Sequence, residues 1–317
     1  MGKNKGKYSN NKLQKNIIKT ILGLMILGGL ALWNKYNSES EALEEPTEPK
    51  VLNAPVETDS TDLFNKKTSK SEFSLNKLKY EKDARPVMKA DRKDEVIEHK
   101  AYSLSYNKDY KVSNWVFYEL TKEEINGRLQ RSDNFQADPK LKRADASQLE
   151  DYRHSGWDRG HMAPSMDMNW DEEILDESYF LSNMCPQGHD FNSGIWLDLE
   201  HEVRFWAKRD SAVCVVCGPI LPKQGDKNYR RLQHSQVLIP EAFYKVVFAP
   251  FAKKGPRAIA FIMPNKQEDR KVSSYAVTVD SVEAITGIDF FPVLPDELED
   301  AIESSYNLRD WFRKKDI

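Results

Sequence analysis

The sequence predicts a mixed α+β domain, and two of its features carry that prediction. Runs of β-branched and aromatic residues recur along the chain between turn residues, which is typical of β-strands. Windows with apolar residues at helical spacing lie between these runs, which is typical of amphipathic helices. Because 39% of the 317 residues are hydrophobic and 11% are aromatic, the chain can build a sizeable core. Interspersed strands and helices without an internal repeat indicate the α+β class.

The beginning of the chain has the layout of an export signal. Lysines are dense in residues 1–16, which we interpret as a basic cytoplasmic n-region, and an apolar signal anchor or signal peptide is predicted at residues 17–34. Small residues with A-x-A spacing are missing after the apolar stretch, which favours an uncleaved anchor. Both interpretations make a membrane the partner of this segment and place the domain outside the cytoplasm, in a bacterial cell envelope or secreted. A mitochondrial presequence is the alternative, although such segments favour arginine and serine.

A flexible tether is predicted at residues 35–95, which are rich in Ser, Glu, Lys, Asp and Pro and poor in periodic apolar residues. The folded domain is predicted to span residues 96–310. Its first strands, AYSLSYN and NWVFYEL, flank a polar turn as in a β-hairpin. Three later runs with the strand signature cover residues 211–221, 234–250 and 257–265. Helices are predicted at residues 171–180, 192–208 and 294–305.

The charge balance shows no basic footprint for nucleic acid in the bulk charge of the chain. The chain has a formal charge of −3, and residues 1–50 contain eight lysines and five glutamates, so the remainder is distinctly acidic. A polyanionic substrate would have to be held locally. Of the three cysteines, Cys214 and Cys217 lie three apart in a predicted strand and point to opposite faces. They are expected to be small buried residues, with no metal or redox role.

The predicted helix at residues 192–208 has two distinct sides. Ile195, Leu199, Val203 and Trp206 form one apolar stripe at 100° per residue, and an adjacent edge carries polar groups at i+4 steps. That edge consists of Asn192, Trp196, Glu200 and Arg204. It aligns an amide, a carboxylate and a guanidinium. An ordinary amphipathic helix with a surface Glu200–Arg204 ion pair is the alternative interpretation.

The stretch SGWDRGHMAP places four chemically distinct residues side by side. His161 can accept a proton from water, because the pKa of an unperturbed histidine is about 6.5. Gly160 permits a close approach of backbone and substrate. Asp158 and Arg159 fit either a phosphate contact or an ion pair that fixes a loop. A loop histidine with charged neighbours is the alternative to a catalytic group.

Four stretches together resemble the DNA/RNA non-specific endonuclease family, which has the ββα-metal (His-Me finger) fold. They are RSDNFQADP, SGWDRGHMAP, YFLSNMCPQ and FNSGIWLDLEHEVR, in this order and spacing. The likeness extends to both the secreted bacterial nucleases and mitochondrial endonuclease G, and it covers roughly residues 99–295. It implies a central antiparallel sheet flanked by helices.

The resemblance also implies roles for individual residues. His161 would be the general base, Asn192 a direct ligand of Mg²⁺ or Mn²⁺, and Arg131 a phosphate contact. Glu200 would accept hydrogen bonds from the hydration water of the ion, with Arg204 in a supporting role nearby. Supporting positions around the site would be filled by Asp158, Arg159, Gly160 and Asn183.

The implied activity is metal-dependent hydrolysis of both DNA and RNA to products with 5′-phosphate ends. Contacts to phosphate and sugar would make discrimination between sequences and sugars weak. The alternatives are a nuclease-like binding module without catalysis and a metal-dependent phosphodiesterase for a non-nucleic substrate. The sequence leaves a homodimer open.

Several other residues were weighed as candidates for the site. The histidines at 154, 189 and 201 lie outside the family's catalytic positions, so exposed or capping roles are expected for His154, His189 and His201. Core packing is favoured over base stacking for the aromatic residues Trp157, Tyr179 and Trp196. Cys185 lies close to the motif, but nothing in its surroundings indicates a nucleophile.

Overall fold

The computed structural model describes residues 85–88, 95–223 and 225–317. The n-region and the predicted anchor lie outside these ranges, as does nearly all of the predicted tether. Within the described ranges, no helix combines the length and the apolar character needed to cross a membrane.

The described residues form a mixed α and β structure, as the sequence predicts. In chain order, the strands are β1 (Val87–Met88), β2 (Glu95–Glu98), β3 (Tyr102–Asn107), β4 (Val112–Thr121), β5 (Asp158–His161), β6 (Met184–Gln187), β7 (Ala212–Pro219), β8 (Arg230–Arg231), β9 (Leu238–Ile239), β10 (Ala242–Ala249), β11 (Arg257–Pro264), β12 (Ala276–Val277) and β13 (Ile288–Asp289). The helices are α1 (Leu149–Tyr152), α2 (Glu172–Ser178), α3 (His189–Asn192), α4 (Ile195–Asp210), α5 (Val279–Thr286), α6 (Asp296–Glu303) and α7 (Leu308–Trp311).

A seven-stranded antiparallel sheet is the centre of the fold. Its strand order is β12–β11–β10–β7–β4–β3–β2. β3 and β4 pair as the predicted hairpin. All eight residues of β7 are buried, which explains its continuous run of apolar residues, because both faces of the strand are covered.

The two faces of the sheet support separate parts of the core. Cys217 belongs to the cluster that includes α4, whereas Cys214 belongs to the cluster that includes α5 and α6. The two cysteines are buried and unbonded, so their predicted placement on opposite faces is confirmed. The apolar stripe of α4 is also confirmed, since Leu199, Val203 and Trp206 are fully buried against the sheet.

Two of the predicted elements are divided in the structure. The predicted helix at residues 192–208 breaks after Asn192, and α4 begins only at Ile195. Gly194 adopts a non-helical conformation there, and a Cβ at this position would lie 2.4 Å from the carbonyl oxygen of Asp190. The predicted strand at residues 234–250 divides into β9 and β10 around Pro240, which has no N–H to donate to a ladder.

Glu303, the last residue of α6, is a buried acidic residue that makes the stability of the fold depend on pH. Glu303 is only 5% exposed, and its Oε1 has no hydrogen-bond partner in the described part of the chain. Burial raises the pKa of Glu303 from 4.5 to about 9, and the neighbouring carboxylates of Glu283 and Glu299 add to this effect. The folded state therefore keeps a proton that the unfolded state releases. Stability consequently falls as the pH rises from about 4.5 to about 9.

Glu303→Gln is expected to remove this loss of stability, because glutamine stays neutral throughout that pH range. The Tm of the variant should exceed that of the wild type at pH 8 and approach it at pH 5, with roughly 2–4 °C for each kcal/mol in a domain of this size. Differential scanning calorimetry at both pH values measures the difference. Glu297→Gln, on the exposed side of the same helix, is the control. An equal Tm difference at the two pH values would contradict the proton-linked explanation.

Candidate active site

The candidate site is built on a two-stranded hairpin that leads into a pair of helices. β5 pairs antiparallel with β6, so that Gly160 lies opposite Cys185 and His161 opposite Met184. α3 and α4 follow directly after β6. The DRGH stretch is thus a short strand, whereas the sequence interpretation had placed it in a loop. Alternation along a strand puts Arg159 and His161 on one face and Asp158 and Gly160 on the other.

The imidazole ring of His161 packs against two aromatic rings. The ring of Tyr179 meets it edge-on with a centroid separation of 5.1 Å, and the ring of Phe135 lies at 5.7 Å. Its Nε2 is enclosed and has no hydrogen-bond partner among the described residues, whereas Nδ1 is not enclosed. Burial lowers the pKa of His161 from 6.5 to about 3, and the positive charge of Arg131 contributes in the same direction. The imidazole is therefore neutral at neutral pH and can accept a proton at Nδ1.

Asp158, the first residue of β5, joins this strand to α3 through two hydrogen bonds. Its Oδ2 accepts one from Nδ2 of Asn192 at 2.9 Å, and it is 2.9 Å from Nδ1 of His189. Because Nδ2 of Asn192 is committed to this carboxylate, the amide oxygen Oδ1 remains as the group that can bind a ligand. The hydrogen bond to Asp158 raises the pKa of His189. His189 is exposed as expected, but the sequence analysis missed its contact with Asp158.

Glu200 is close enough to Lys245 and Asp167, two buried charged residues, for their charges to affect its pKa. Burial raises the pKa of Glu200 to about 7, although the positive charge of Lys245 opposes this effect. Arg204 donates to Oδ1 of the buried Asp167 at 2.8 Å and also contacts backbone carbonyls. In the described part of the chain, the alternative surface ion pair between Glu200 and Arg204 does not form. Arg204 instead connects α4 to the short turn of residues 165–167.

Asn183 and Gly160 hold the hairpin in its shape. Asn183 is fully buried; its Oδ1 accepts from the N–H of Ala163 at 2.9 Å, and its Nδ2 donates to the carbonyl oxygens of Ala163 and Ser178. Gly160 was expected to allow a close approach of substrate. Its missing side chain instead makes room for Gln187, because a Cβ on Gly160 would lie 1.9 Å from Oε1 of that residue.

A cavity of about 690 Å³ opens beside the hairpin. Its lining combines arginines, aromatic residues and the Asp158–Asn192 pair, and comprises Arg131, Asp133, Phe135, Leu149, Tyr152, Arg153, His154, Trp157, Asp158, Arg159 and Asn192. The guanidinium of Arg159 lies 3.9 Å from the centroid of the Phe135 ring. Arg131 is held by Asp133 at 2.9 Å and is close enough to affect the pKa of both His161 and Glu200.

The remaining sequence candidates are three aromatic residues, two histidines and one cysteine. Tyr179 and Trp196 are buried, so core packing is confirmed for both, while Trp157 is half-buried under the guanidinium of Arg230 at 5.1 Å. His154 and His201 are exposed, as expected. Cys185 is fully buried, and burial raises the pKa of its thiol, which makes it a poor nucleophile.

The available donor atoms fit a hard divalent cation. Asn192 offers an amide oxygen, and the carboxylates of Asp158 and Glu200 are further oxygen donors in the same region of the fold. Mg²⁺ prefers such oxygen ligands and retains much of its water. The site thus combines a neutral base, a set of oxygen donors and arginines that can bind an anion.

Comparisons with known proteins agree with these features. Residues 82–297 match the family model described as DNA/RNA non-specific endonuclease. The chain is 34% identical over 205 residues to "Nuclease EXOG, mitochondrial" of Mus musculus, which covers 61% of this chain and 56% of that protein. It is 35% identical over 210 residues to "Nuclease C1" of Cunninghamella echinulata var. echinulata, which covers 62% of this chain and 83% of that protein. The match to the mouse protein thus spans little more than half of that protein's length.

A solved structure is similar as well. A chain in the crystal structure of the EndoG/EndoGI complex superposes with a TM-score of 0.59 and 36% identity, covering 64% of this chain and 87% of that chain. The likeness in fold therefore accompanies the likeness in sequence over most of the described residues.

Gly160→Ala is expected to destabilise the hairpin by about 1–3 kcal/mol, because a methyl group would overlap the buried side chain of Gln187. Chemical denaturation of the variant measures this cost. The double variant Gly160→Ala/Gln187→Ala removes the overlapping atoms and should regain stability relative to the sum of the two single changes. Strict additivity of the two effects would rule out the steric explanation.

Proposed function

The chain belongs to the DNA/RNA non-specific endonuclease family, and from this premise we propose that it hydrolyses phosphodiester bonds in both DNA and RNA with the help of Mg²⁺. The observation that carries the proposal is the placement of His161, whose ring packs against Phe135 at the cavity that Arg131 and Asn192 line. Its imidazole is neutral, has Nδ1 available, and lies within the electrostatic reach of Arg131. An exposed histidine of ordinary pKa would be partly protonated at neutral pH and would be a less effective base.

The reaction begins at His161. Its Nδ1 takes a proton from the water molecule that attacks phosphorus in line with the departing 3′ oxygen, so that the products carry 5′-phosphate ends. The transfer creates an imidazolium beside two arginines. The negative charge of the bound phosphate compensates for this positive charge, and it also raises the low pKa of His161 toward the working range.

Arg131 binds the phosphate. In the structure it is paired with Asp133, but both side chains are more than half exposed. Exposed ion pairs contribute only about 0–1 kcal/mol. A phosphodiester can therefore replace Asp133 as the partner of Arg131 at little cost.

Asn192 would hold the cation through Oδ1, with Asp158 keeping the amide in the required orientation. When bound, Mg²⁺ neutralises charge on the phosphate and stabilises the departing oxygen. Glu200 accepts hydrogen bonds from ordered water beside the phosphate, for which it must be ionised. The aromatic and arginine lining of the cavity offers stacking and charge, and it supports weak discrimination between bases.

The location of the reaction is proposed from the N-terminal sequence. The apolar stretch at residues 17–34 supports an enzyme that acts outside the cytoplasm, anchored to a membrane or secreted. Relatives named "Nuclease EXOG, mitochondrial" and "Mitochondrial nuclease" support the mitochondrial alternative. A homodimer remains compatible with either location.

His161→Ala is expected to reduce cleavage about 10²- to 10⁴-fold, because it removes the group that takes the proton. The assay follows degradation of supercoiled plasmid and of single-stranded RNA, each with Mg²⁺, with Mn²⁺ and with EDTA. The wild type should cleave both substrates only when a cation is present.

The control is His234→Ala, which changes an exposed histidine in the turn between β8 and β9 and should leave cleavage unchanged. A folded wild type that cleaves neither substrate with any divalent cation would overturn the proposal and favour a binding module. Cleavage of a small phosphodiester, with both nucleic acids left intact, would favour the non-nucleic phosphodiesterase.

The acid limb of the profile of kcat/KM against pH reports groups of the free enzyme, and it is expected to report Glu200 and not His161. Burial raises the pKa of Glu200 to about 7 and lowers that of His161 to about 3. Activity should therefore fall as the pH drops through a value at or below about 7, since Mg²⁺ favours the ionised carboxylate. Glu200→Gln should be slow and should lose this limb.

The matched control is Glu202→Gln on the same helix. Burial also raises the pKa of Glu202, but this residue faces Arg313 and not the candidate site. Its profile should keep the wild-type limb. Survival of the limb in Glu200→Gln would assign it to another group.

A further inference from the structure

One buried carboxylate that the proposed function does not use lies close to two other carboxylates. Glu303 is the last residue of α6 and is only 5% exposed. Its Oε1 has no hydrogen-bond partner among the described residues. A carboxylate is almost never fully buried unless it is paired, because removing its charge from water is costly. The enclosed oxygen of Glu303 therefore calls for a partner.

The two neighbouring carboxylates belong to α5. Asp280 and Glu283 are three residues apart, which places them on the same face of that helix. Each of Asp280, Glu283 and Glu303 places one carboxylate oxygen within 4.8 Å of the other two. Both α5 and α6 contact β11, so the central sheet holds the two helices that carry these side chains.

This spacing of oxygen atoms fits Ca²⁺. Ca²⁺ binds oxygen ligands at about 2.3–2.6 Å, so two oxygens on one ion are at most about 5 Å apart. Mg²⁺ binds at about 2.0–2.1 Å, which limits two of its ligands to a separation of about 4 Å, and it gives up its water reluctantly. Three carboxylates and several water molecules would supply the roughly six to eight oxygens that Ca²⁺ takes.

The three carboxylates differ in exposure in a way that suits an ion arriving from solvent. Asp280 is exposed, Glu283 is half-buried and Glu303 is buried. Oε1 of Glu283 accepts a hydrogen bond from the N–H of Phe290 at 2.8 Å, which helps to fix this side chain. Asp280 can therefore meet an ion at the surface, while Glu303 completes its coordination from the inside.

Negative charge dominates the surroundings of Glu303 in the described part of the chain. Burial is the largest cause that raises the pKa of Glu303, and the next four are the carboxylates of Glu283, Glu299, Asp280 and Asp289. Like charges at this spacing disfavour one another's ionised form. A divalent cation would replace this repulsion with attraction to each carboxylate.

We propose that Asp280, Glu283 and Glu303 form a Ca²⁺ site that fastens α6 to α5. The site is separate from the candidate active site, because α5 and α6 belong to the core cluster on one face of the sheet and α4 belongs to the cluster on the other. Bound Ca²⁺ stabilises the folded state, since the unfolded chain does not hold the three carboxylates together. The inference does not rest on the proposed nuclease function. The loss of stability described above for Glu303 applies to the protein in EDTA.

The first test compares the Tm in EDTA with the Tm in about 10 mM Ca²⁺ at constant ionic strength. Weak Ca²⁺ sites in proteins have a Kd of about 10⁻⁴–10⁻³ M, so this concentration should raise the Tm of the wild type by about 3–10 °C. The same concentration of Mg²⁺ should raise it less. Asp280→Asn should lose most of the rise with Ca²⁺, and the exposure of this residue makes a folded variant the expected result.

The matched control is Asp296→Asn, which changes an exposed aspartate in the first turn of α6. This variant should keep the wild-type rise in Tm with Ca²⁺, because Asp296 lies outside the three proposed ligands. Glu303→Gln removes a ligand from the buried side and should lose the rise as well. It provides the second variant in case Asp280→Asn alters the start of α5.

A second measurement separates this site from the cation site proposed for catalysis. In Asn192→Ala, which lacks the proposed direct ligand of the catalytic cation, the rise in Tm with Ca²⁺ should persist. Isothermal titration calorimetry of this variant should detect about one Ca²⁺ per chain. The double variant Asn192→Ala/Asp280→Asn should bind none in the same range of concentration.

Three outcomes would overturn the inference. They are a wild type whose Tm does not respond to Ca²⁺, a rise of equal size in every variant, and a rise that disappears in Asn192→Ala but survives in Asp280→Asn. The last of these would assign Ca²⁺ binding to the candidate active site. All of these readouts concern binding and stability, so they are independent of whether the chain cleaves nucleic acid.

Discussion

The antiparallel pairing of β5 with β6 is the constraint on which the site depends. The two strands have only four residues each and stand apart from the large sheet, so their own ladder cannot hold them firmly. Asn183 supplies the missing support with three hydrogen bonds that connect the segment after His161 to the end of α2. A fully buried amide with its bonding capacity nearly filled tolerates little displacement. The position of the backbone that follows His161 consequently depends on Asn183.

Local placement of positive charge resolves the apparent conflict between an acidic chain and the polyanionic substrate proposed for it. The net charge determines long-range attraction, which is weak here and is screened within about 8–10 Å at ordinary ionic strength. Arg131, Arg153 and Arg159 nevertheless line one cavity. Short-range contacts of this kind act after encounter, so they govern affinity and orientation more than the rate of approach. The arrangement therefore suits a substrate that is already close or abundant.

Features that depend on neighbouring residues in the chain could be predicted from the sequence, whereas features that depend on distant contacts could not. The stripe through Leu199 and Val203 follows from helical geometry alone, and the β3–β4 hairpin follows from a turn between two apolar runs. The break before α4 was missed, because Gly194 is required by the carbonyl of Asp190 and not by any periodic signal. The motif stretches indicated His161 and Asn192 through their resemblance to a family. No local pattern in the sequence distinguishes Lys245, since only the folded sheet places it against the ring of Trp196.

Burial alone would give the site only one of the two protonation states that it needs. A low dielectric penalises charge, so it keeps His161 neutral, as the proposed base must be, but it also favours a protonated Glu200, which is a weaker hydrogen-bond acceptor than the ionised form required by the proposed role. Fixed positive charge corrects the second effect without reversing the first. Arg131 lowers the pKa of both groups, and it thereby favours the neutral imidazole and the ionised carboxylate at once. Cationic side chains around a buried histidine and glutamate thus select a reactive combination of states that neither solvent nor an apolar pocket would favour.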